Sequence, residues 1–290
     1  MQSHGQEMPQ VLPGLGDIAG FYEGYILDLW GVVHNGIAPF PDTIPTLQEM
    51  KRGKRTVWLL SNAPRRAAAV ADFLAGMGIT PDLYDGIMTS GEATYHAMAE
   101  RYLAQWGPRC LHIGPAHDLS LLEGLAVTLV EDPAEADFLL CTGVRDPADT
   151  VEPYQALLSA AAAENLPFLC ANPDRIVHVG ERLVLCPGTF ADIYMEMDGQ
   201  VTWFGKPYRQ VYSQCLAAMP GQRVLAIGDG MPTDIAGATG AGIDSMLITG
   251  GIHRAELPIH DFSPEAQNRV YEFFAGFPYR PRYLAEKLSW

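Results

Sequence analysis

The sequence predicts an α/β protein, a doubly wound parallel sheet with a smaller α/β unit inserted into it. Short apolar, β-rich runs alternate with amphipathic helical stretches along the chain, which is the signature of parallel strands joined by helical crossovers. Several of the helical stretches close at a glycine, the usual helix stop. The middle of the chain repeats the alternation with enough material for a second unit of roughly a hundred residues. The expected division is residues 16–90 and 188–290 for the main domain, with residues 91–187 inserted between them.

In order, "YILDLW" (Tyr25–Trp30) and "TVWLL" (Thr56–Leu60) read as strands. The stretches "PDTIPTLQEMKRG" and "RRAAAVADFLAGMG" read as the helices between and after them. The middle offers "CLHIG", "AVTLV" and "DFLLCTG" as strands, a helix near Tyr154–Glu164, and then "PFLCANPD". "VTWFG" reads as a short strand, "VLAIG" (Val224–Gly228) as another, "TDIAGATGAG" as a short helix and "DSMLITGG" as a final strand. No internal repeat is present, and the only low-complexity tract is the alanine run Ala160–Ala163.

Composition narrows the function. The 290 residues are 48% hydrophobic, enough to build real cores. Lys+Arg number 19 against 34 Asp+Glu, a formal charge of −15. That balance excludes nucleic acid as the expected partner, since binding a polyphosphate relies on clustered cations. A small phosphate ester needs only local donors and stays open. The five cysteines form no CxxC pair and no short repeated spacing, so they read as reduced, buried thiols. The N-terminal stretch has no basic segment leading into an apolar one, and no run approaches the roughly 18 apolar residues of a membrane span. The expected location is the cytoplasm, with no membrane contact.

Polar residues stand at the carboxyl ends of four predicted strands: Asp28 on the first, Ser61 and Asn62 after the second, Lys206 after "VTWFG" and Asp229 after "VLAIG". In an open parallel sheet the ligand site lies outside this edge. Asp28 and Asp229 form an acidic pair suited to Mg²⁺, a hard cation that takes oxygen ligands. Lys206, Ser61 and the Asn62 backbone supply donors for a phosphoryl group. A carboxylate in such company can attack phosphorus and form an aspartyl-phosphate. Each residue also has a plainer role: Asp28 and Asp229 as helix caps, Ser61 and Asp234 likewise, Lys206 as a solvated surface lysine, and Asn172–Asp174 as an Asx-Pro turn.

Together the strings "DLWGV", "LLSNAPR", "GKP" and "GDGMPTD", in this order, resemble the four motifs of the haloacid dehalogenase (HAD) superfamily. The large insert, the flap-like "GVVHNGIAPFPDT" and the "CANPD" element resemble its class IIA, NagD-type and p-nitrophenyl phosphatase-like members. The resemblance implies a HAD-type Rossmann-like core with an α/β cap inserted at 91–187. It implies a Mg²⁺-dependent phosphatase acting on a small phosphorylated metabolite, with a homodimer as one assembly the class permits. It assigns Asp28 as nucleophile and metal ligand, the Trp30 carbonyl and Asp229 as further ligands, and Asp234 as metal support. Ser61, Asn62 and Lys206 hold the phosphoryl group, Lys206 also serving catalysis, and Asn172 and Asp174 help choose the leaving group. A carbon–halogen hydrolase is disfavoured by the metal-type Asp229 and Asp234.

The departure is Trp30. The superfamily's phosphatases carry a second aspartate there as general acid and base, and an indole N–H releases no proton near neutral pH. A backbone carbonyl ligand survives the change; proton transfer does not. His34, six positions beyond Asp28, is a candidate substitute beside its plainer structural role. Trp30 either fills the site floor or stacks on a planar substrate group. The alternative to a working phosphatase is a HAD-fold protein that binds a phosphometabolite without efficient turnover.

Overall fold

The computed structural model describes residues 8–179, 182–259 and 263–290. Part of the N-terminal stretch read above as lacking a signal, residues 1–7, lies outside them. Fourteen strands are present among the described residues. β1 is Gln10–Val11, β2 Gly24–Asp28, β3 Thr56–Ser61 and β4 Gly86–Thr89. β5 (Arg109–Ile113), β6 (Thr128–Val130), β7 (Phe138–Cys141) and β8 (Phe168–Cys170) follow. β9 (Ile176–Val179), β10 (Arg182–Leu185) and β11 (Val201–Trp203) come next, then β12 (Val224–Gly228), β13 (Asp244–Ile248) and β14 (Tyr283–Ala285).

Seven strands form one sheet in the order β1-β14-β13-β12-β2-β3-β4, and the pairs from β1 to β3 are parallel. From β2 the chain runs to β3 and β4 on one side, then returns at β12 on the other. The carboxyl ends of β2 and β12 therefore flank the switch point of this sheet, where crossovers leave in opposite directions and open a crevice. β2 and β12 are buried along their whole length, as central parallel strands covered on both faces must be. The helix Thr43–Arg52 shows how sequence makes such a cover. Thr43, Thr46, Leu47 and Met50 recur at i, i+3, i+4 and i+7 and are all buried. Lys51 and Arg52 in its last turn face the negative end of the helix dipole before it stops at Gly53.

Five strands form a second sheet, β11-β8-β7-β5-β6, parallel throughout, and β9 and β10 make a separate antiparallel pair. This sheet is doubly wound as well. β5 leads to β6 on one side, and the chain crosses back to β7, β8 and β11 on the other. Its core packs Leu139, Phe168 and Tyr154 with Phe190, Ala191 and Tyr194 of the helix Pro187–Glu196.

The chain divides into two compact units, Met1–Ser61 with Ala71–Ile87 and Tyr212–Trp290, and Asn62–Val70 with Met88–Val211. The second extends past the expected boundary at 187, because the helix Pro187–Glu196 joins its core and β11 pairs with β8. It also takes in residues 62–70, expected in the main domain. Glu92 explains this: its carboxylate accepts hydrogen bonds from the Arg66 guanidinium and the Ala67 amide, so this loop is fastened to the helix Ser90–Ala97. Two further differences are local. The first strand stops at Asp28 rather than Trp30, because the chain turns at Gly31 with φ of +85°. β1, β14 and the β9–β10 pair carry no strong pattern in sequence. All five cysteines are buried and free, and burial pushes Cys110, Cys186 and Cys215 up to about 12, which leaves them inert. No helix among the described residues is long and apolar enough to cross a membrane.

His112 in β5 places a pH signature in this fold. Burial, aided by the Arg145 charge, pushes its imidazole down to about 4. The unfolded chain protonates it near about 6.5. As pH falls from that value towards 4, the unfolded state gains a proton that the folded state refuses, and stability is lost over that window. Denaturation midpoints at pH 7 and pH 4.5 should therefore differ less in His112→Gln than in the unsubstituted protein. An identical acid loss in both would contradict the assignment.

Candidate active site

Asp28 closes β2, and Asp229 directly follows β12. Asp234 lies on a π turn, Met231–Ile235, that opens the next helix. All three side chains are buried, and each offers a carboxylate oxygen within 4.8 Å of the others. Glycines make this approach possible. A Cβ on Gly31 or on Gly251 would stand 2.1 Å from Asp229 Oδ2, so two backbones close directly on that carboxylate. Gly31 also needs its positive φ, which other residues adopt at a cost. A Cβ on Gly228 would stand 2.1 Å from the Asp234 carboxyl carbon. Backbone amides complete the cradle: Ile252 N–H donates to Asp229 Oδ2 at 3.0 Å and Gly230 N–H to Asp234 Oδ2 at 3.1 Å.

Three buried carboxylates in such proximity repel one another, and a positive charge between them offsets that repulsion. Oxygen-only donors at this spacing suit a hard divalent cation such as Mg²⁺. The residues present fit the ion that the sequence suggested.

Trp30 is 41% exposed, and its indole lies on Gly36, where a Cβ would stand 2.4 Å from the ring. Its ring packs edge-on against His34 at 5.8 Å, and His34 does the same against Phe73 at 5.6 Å. His34 is buried, its Nδ1 accepts the Gly36 amide hydrogen at 2.9 Å, and burial pushes its pKa down to about 4. It is a neutral, packed imidazole near pH 7 and a poor proton donor. The Asn35 side chain accepts the amides of Ile37 and Ala38, which pins the turn that follows.

Of the phosphate-type residues, Lys206 follows a strand of a different sheet from the one expected. Ser61 ends β3 in the seven-stranded sheet, but Lys206 follows β11 in the five-stranded one, so the four strand ends do not share an edge. Three residues of strand cannot announce their sheet, and β11 pairs with β8 instead. Within the second unit Lys206 is tied to Asn62, the residue after Ser61. Asn62 Oδ1 accepts the Lys206 amide at 2.7 Å, and Asn62 Nδ2 donates to Asp174 Oδ1 at 2.9 Å. Lys206, Asn62 and Asn172 are all buried. Asn172 Oδ1 accepts the Asp174 amide at 2.9 Å, the Asx turn its sequence suggested, and Gly188 leaves room for the Pro173 and Asp174 carbonyls. Asn172 and Asp174 thus hold a buried network around Asn62. Sequence reasoning missed the closing glycines Gly31 and Gly251 and the bridging work of Asn62, since none is marked by a local pattern.

A doubly wound α/β hydrolase with an acidic metal-type cluster at its switch point is the class that fold and site define. Known proteins agree. The haloacid dehalogenase-like hydrolase profile matches residues 25–128, and a HAD-hydrolase-like profile matches residues 203–288. A haloacid dehalogenase-like hydrolase from Brucella suis 1330 is 34% identical with a TM-score of 0.81, over 96% of this chain and all of that one. The chain belongs to the haloacid dehalogenase-like hydrolase family. The D-glycerol 3-phosphate phosphatase of Mycobacterium tuberculosis is 27% identical over 82% of this chain, which spans 66% of that protein's length. The 5′-nucleotidase YutF of Bacillus subtilis is 25% identical over 81% of this chain and 90% of its own.

Gly251→Ala should weaken Mg²⁺ binding tenfold or more by calorimetry, because a new Cβ would also stand 2.4 Å from Asp229 Cβ and must displace the whole side chain. Unchanged affinity, with a far-UV circular dichroism spectrum like that of the unsubstituted protein, would show that the cradle does not shape the site.

Proposed function

We propose that this hydrolase is a Mg²⁺-dependent phosphatase acting on a small phosphorylated metabolite through an aspartyl-phosphate on Asp28. The observation that carries the proposal is the buried Asp28–Asp229–Asp234 cluster at the switch point between β2 and β12. Two relatives, one named a D-glycerol 3-phosphate phosphatase and the other a 5′-nucleotidase, support it.

Mg²⁺, held by Asp28, Asp229, Asp234 and the Trp30 carbonyl, would supply positive charge to the phosphoryl oxygens. Ser61, Asn62 and Lys206 bind and orient the phosphoryl group. An Asp28 oxygen attacks phosphorus as the ester P–O bond breaks, and the leaving oxygen departs with the electron pair. Water then attacks the same phosphorus, releasing inorganic phosphate and restoring Asp28. Neither step finds an acid or base at position 30. General acid–base catalysis is worth about 10²–10⁴-fold, or roughly 3–5 kcal/mol of barrier. Leaving groups that are stable as anions, aryl or acyl, suffer least, and alkyl phosphates suffer most. The exposed indole favours the second reading, a protein that holds a phosphometabolite and turns it over poorly.

Hydrolysis of p-nitrophenyl phosphate should require Mg²⁺ and disappear in Asp28→Asn; activity persisting in that variant would sink the mechanism. Trp30→Asp should raise the rate on alkyl phosphates such as glycerol 3-phosphate by tenfold or more, with a smaller gain on p-nitrophenyl phosphate. Equal, negligible rates in both proteins across a phosphometabolite panel, with tight binding by calorimetry, would instead establish the binding protein.

A further inference from the structure

Gly251, which closes on Asp229, belongs to the segment "TGGIHRAELPI" (Thr249–Ile259), and this segment also walls a cavity of about 360 Å³. Past the ends of β13 and β14 the two segments stay paired. The Thr249 and Gly250 amides donate to the Ala285 and Glu286 carbonyls, each at 2.8 Å. Gly250 permits this approach, since a Cβ there would stand 2.4 Å from the Glu286 carbonyl oxygen. The chain then folds back. Arg254 N–H donates to the Gly251 carbonyl at 3.2 Å, and Leu257 N–H to the His253 carbonyl at 3.0 Å. Leu257 and Ile259 pack into a core with Met231, Phe274 and Leu284, which anchors the returning chain. The cavity is lined from both sides, by Thr249, Gly250 and Glu286 at the strand ends and by Arg254 and residues 257–259 of the return.

This lining has three chemical parts. Leu257, Pro258 and Ile259 give it an apolar wall. Arg254 and Glu286, both exposed, bring opposite charges to it. The Arg254 side chain makes no hydrogen bond or ion pair with any described residue, so its five guanidinium donors are left to a ligand or water. The Glu286 carboxylate is an acceptor with several lone-pair sites. The Thr249 hydroxyl, by contrast, is buried and already donates to the Ala285 carbonyl at 3.3 Å. The volume lies at the small end of the roughly 300–1,000 Å³ typical of small-molecule sites. A ligand with one charge would match only one wall. A polyanion would meet Glu286 and a formal charge of −15 on the whole chain. A ligand carrying both charges matches Arg254 and Glu286 together.

We propose that this cavity is a binding site for a small zwitterion, an α-amino acid with an apolar side chain. Arg254 holds the carboxylate, for which its planar fork is suited bidentately. Glu286 accepts hydrogen bonds from the ammonium, and Leu257 with Ile259 covers the apolar side chain. Backbone hydrogen bonds fix both walls in advance, so little main-chain ordering opposes binding. Binding here is independent of the chemistry at Asp28, because the carboxylate cluster of the active site uses none of these side chains.

The test is titration of the full chain followed by amide chemical shifts in NMR. The probes are leucine and three compounds that each lack one of its parts: 4-methylpentanoate the ammonium, 3-methylbutylamine the carboxylate, and glycine the apolar side chain. Leucine should bind saturably at millimolar concentration or below and move the amides of Gly250, Arg254 and Leu257. 3-Methylbutylamine and glycine should bind about tenfold more weakly or worse, and 4-methylpentanoate several-fold more weakly. Arg254→Gln should lower leucine affinity by about tenfold or more and leave that of 3-methylbutylamine unchanged. Glu286→Gln should lower leucine affinity several-fold without weakening 4-methylpentanoate. Far-UV circular dichroism checks that both variants fold; if either does not, the probe series on the unsubstituted protein decides. No saturable binding of leucine, 4-methylpentanoate binding as tightly as leucine, or leucine affinity that survives Arg254→Gln overturns the site.

Discussion

The constraint on which this site depends is that three carboxylates must be kept out of water with oxygens within 4.8 Å of one another. Such a cluster resists assembly by mutual repulsion and lost hydration, so the fold has to force it. It does so with backbone. β2 and β12 are adjacent, parallel and fully buried, which sets their carboxyl ends side by side. Gly31 and Gly251 then close on Asp229, and Gly228 admits Asp234, in contacts that any side chain would prevent. Main-chain amides fix the carboxylate orientations before any ligand arrives. A preorganised anionic cradle is what a hard divalent cation requires.

Around this cradle, position 30 separates two tasks that one aspartate usually combines. A backbone carbonyl serves a metal whatever side chain it bears, so the tryptophan leaves that task intact. The proton-transfer task does not pass to His34. His34 is buried between Trp30 and Phe73, accepts the Gly36 amide and stays neutral near pH 7. Packing explains why it is there: it seats the indole over Gly36.

Both sheets are doubly wound, and each places an acid at its own switch point, Asp28 with Asp229 in one and Asp118 in the other. The physical cause is shared. Where successive crossovers leave in opposite directions, the loops part and polar groups at strand ends meet without an overlying helix. In the second unit Asn62 is hydrogen-bonded to the Lys206 amide and to Asp174, and Arg65 stands three residues further along the same loop.

Much of this was legible in the chain itself. Alternating apolar runs and glycine-ended helices identified parallel α/β units, because periodicity and helix stops are local properties of neighbouring side chains. Asp28, Asp229 and Asp234 were recognisable as a trio from their place at strand ends and from ordered motifs; their convergence is a matter of strand adjacency. The sheet that receives Val201–Trp203 was not legible, since a three-residue strand has too little pattern to choose between edges. Nor was the end of the second unit, the locking of Asn172 and Asp174 around Asn62, or the closure of Gly31 and Gly251 on Asp229. Sequence by itself determined the kinds of element and the chemical types at their ends. Tertiary structure alone decided which of those ends meet, because pairing and burial depend on contacts between residues far apart in the chain, where no local pattern records them.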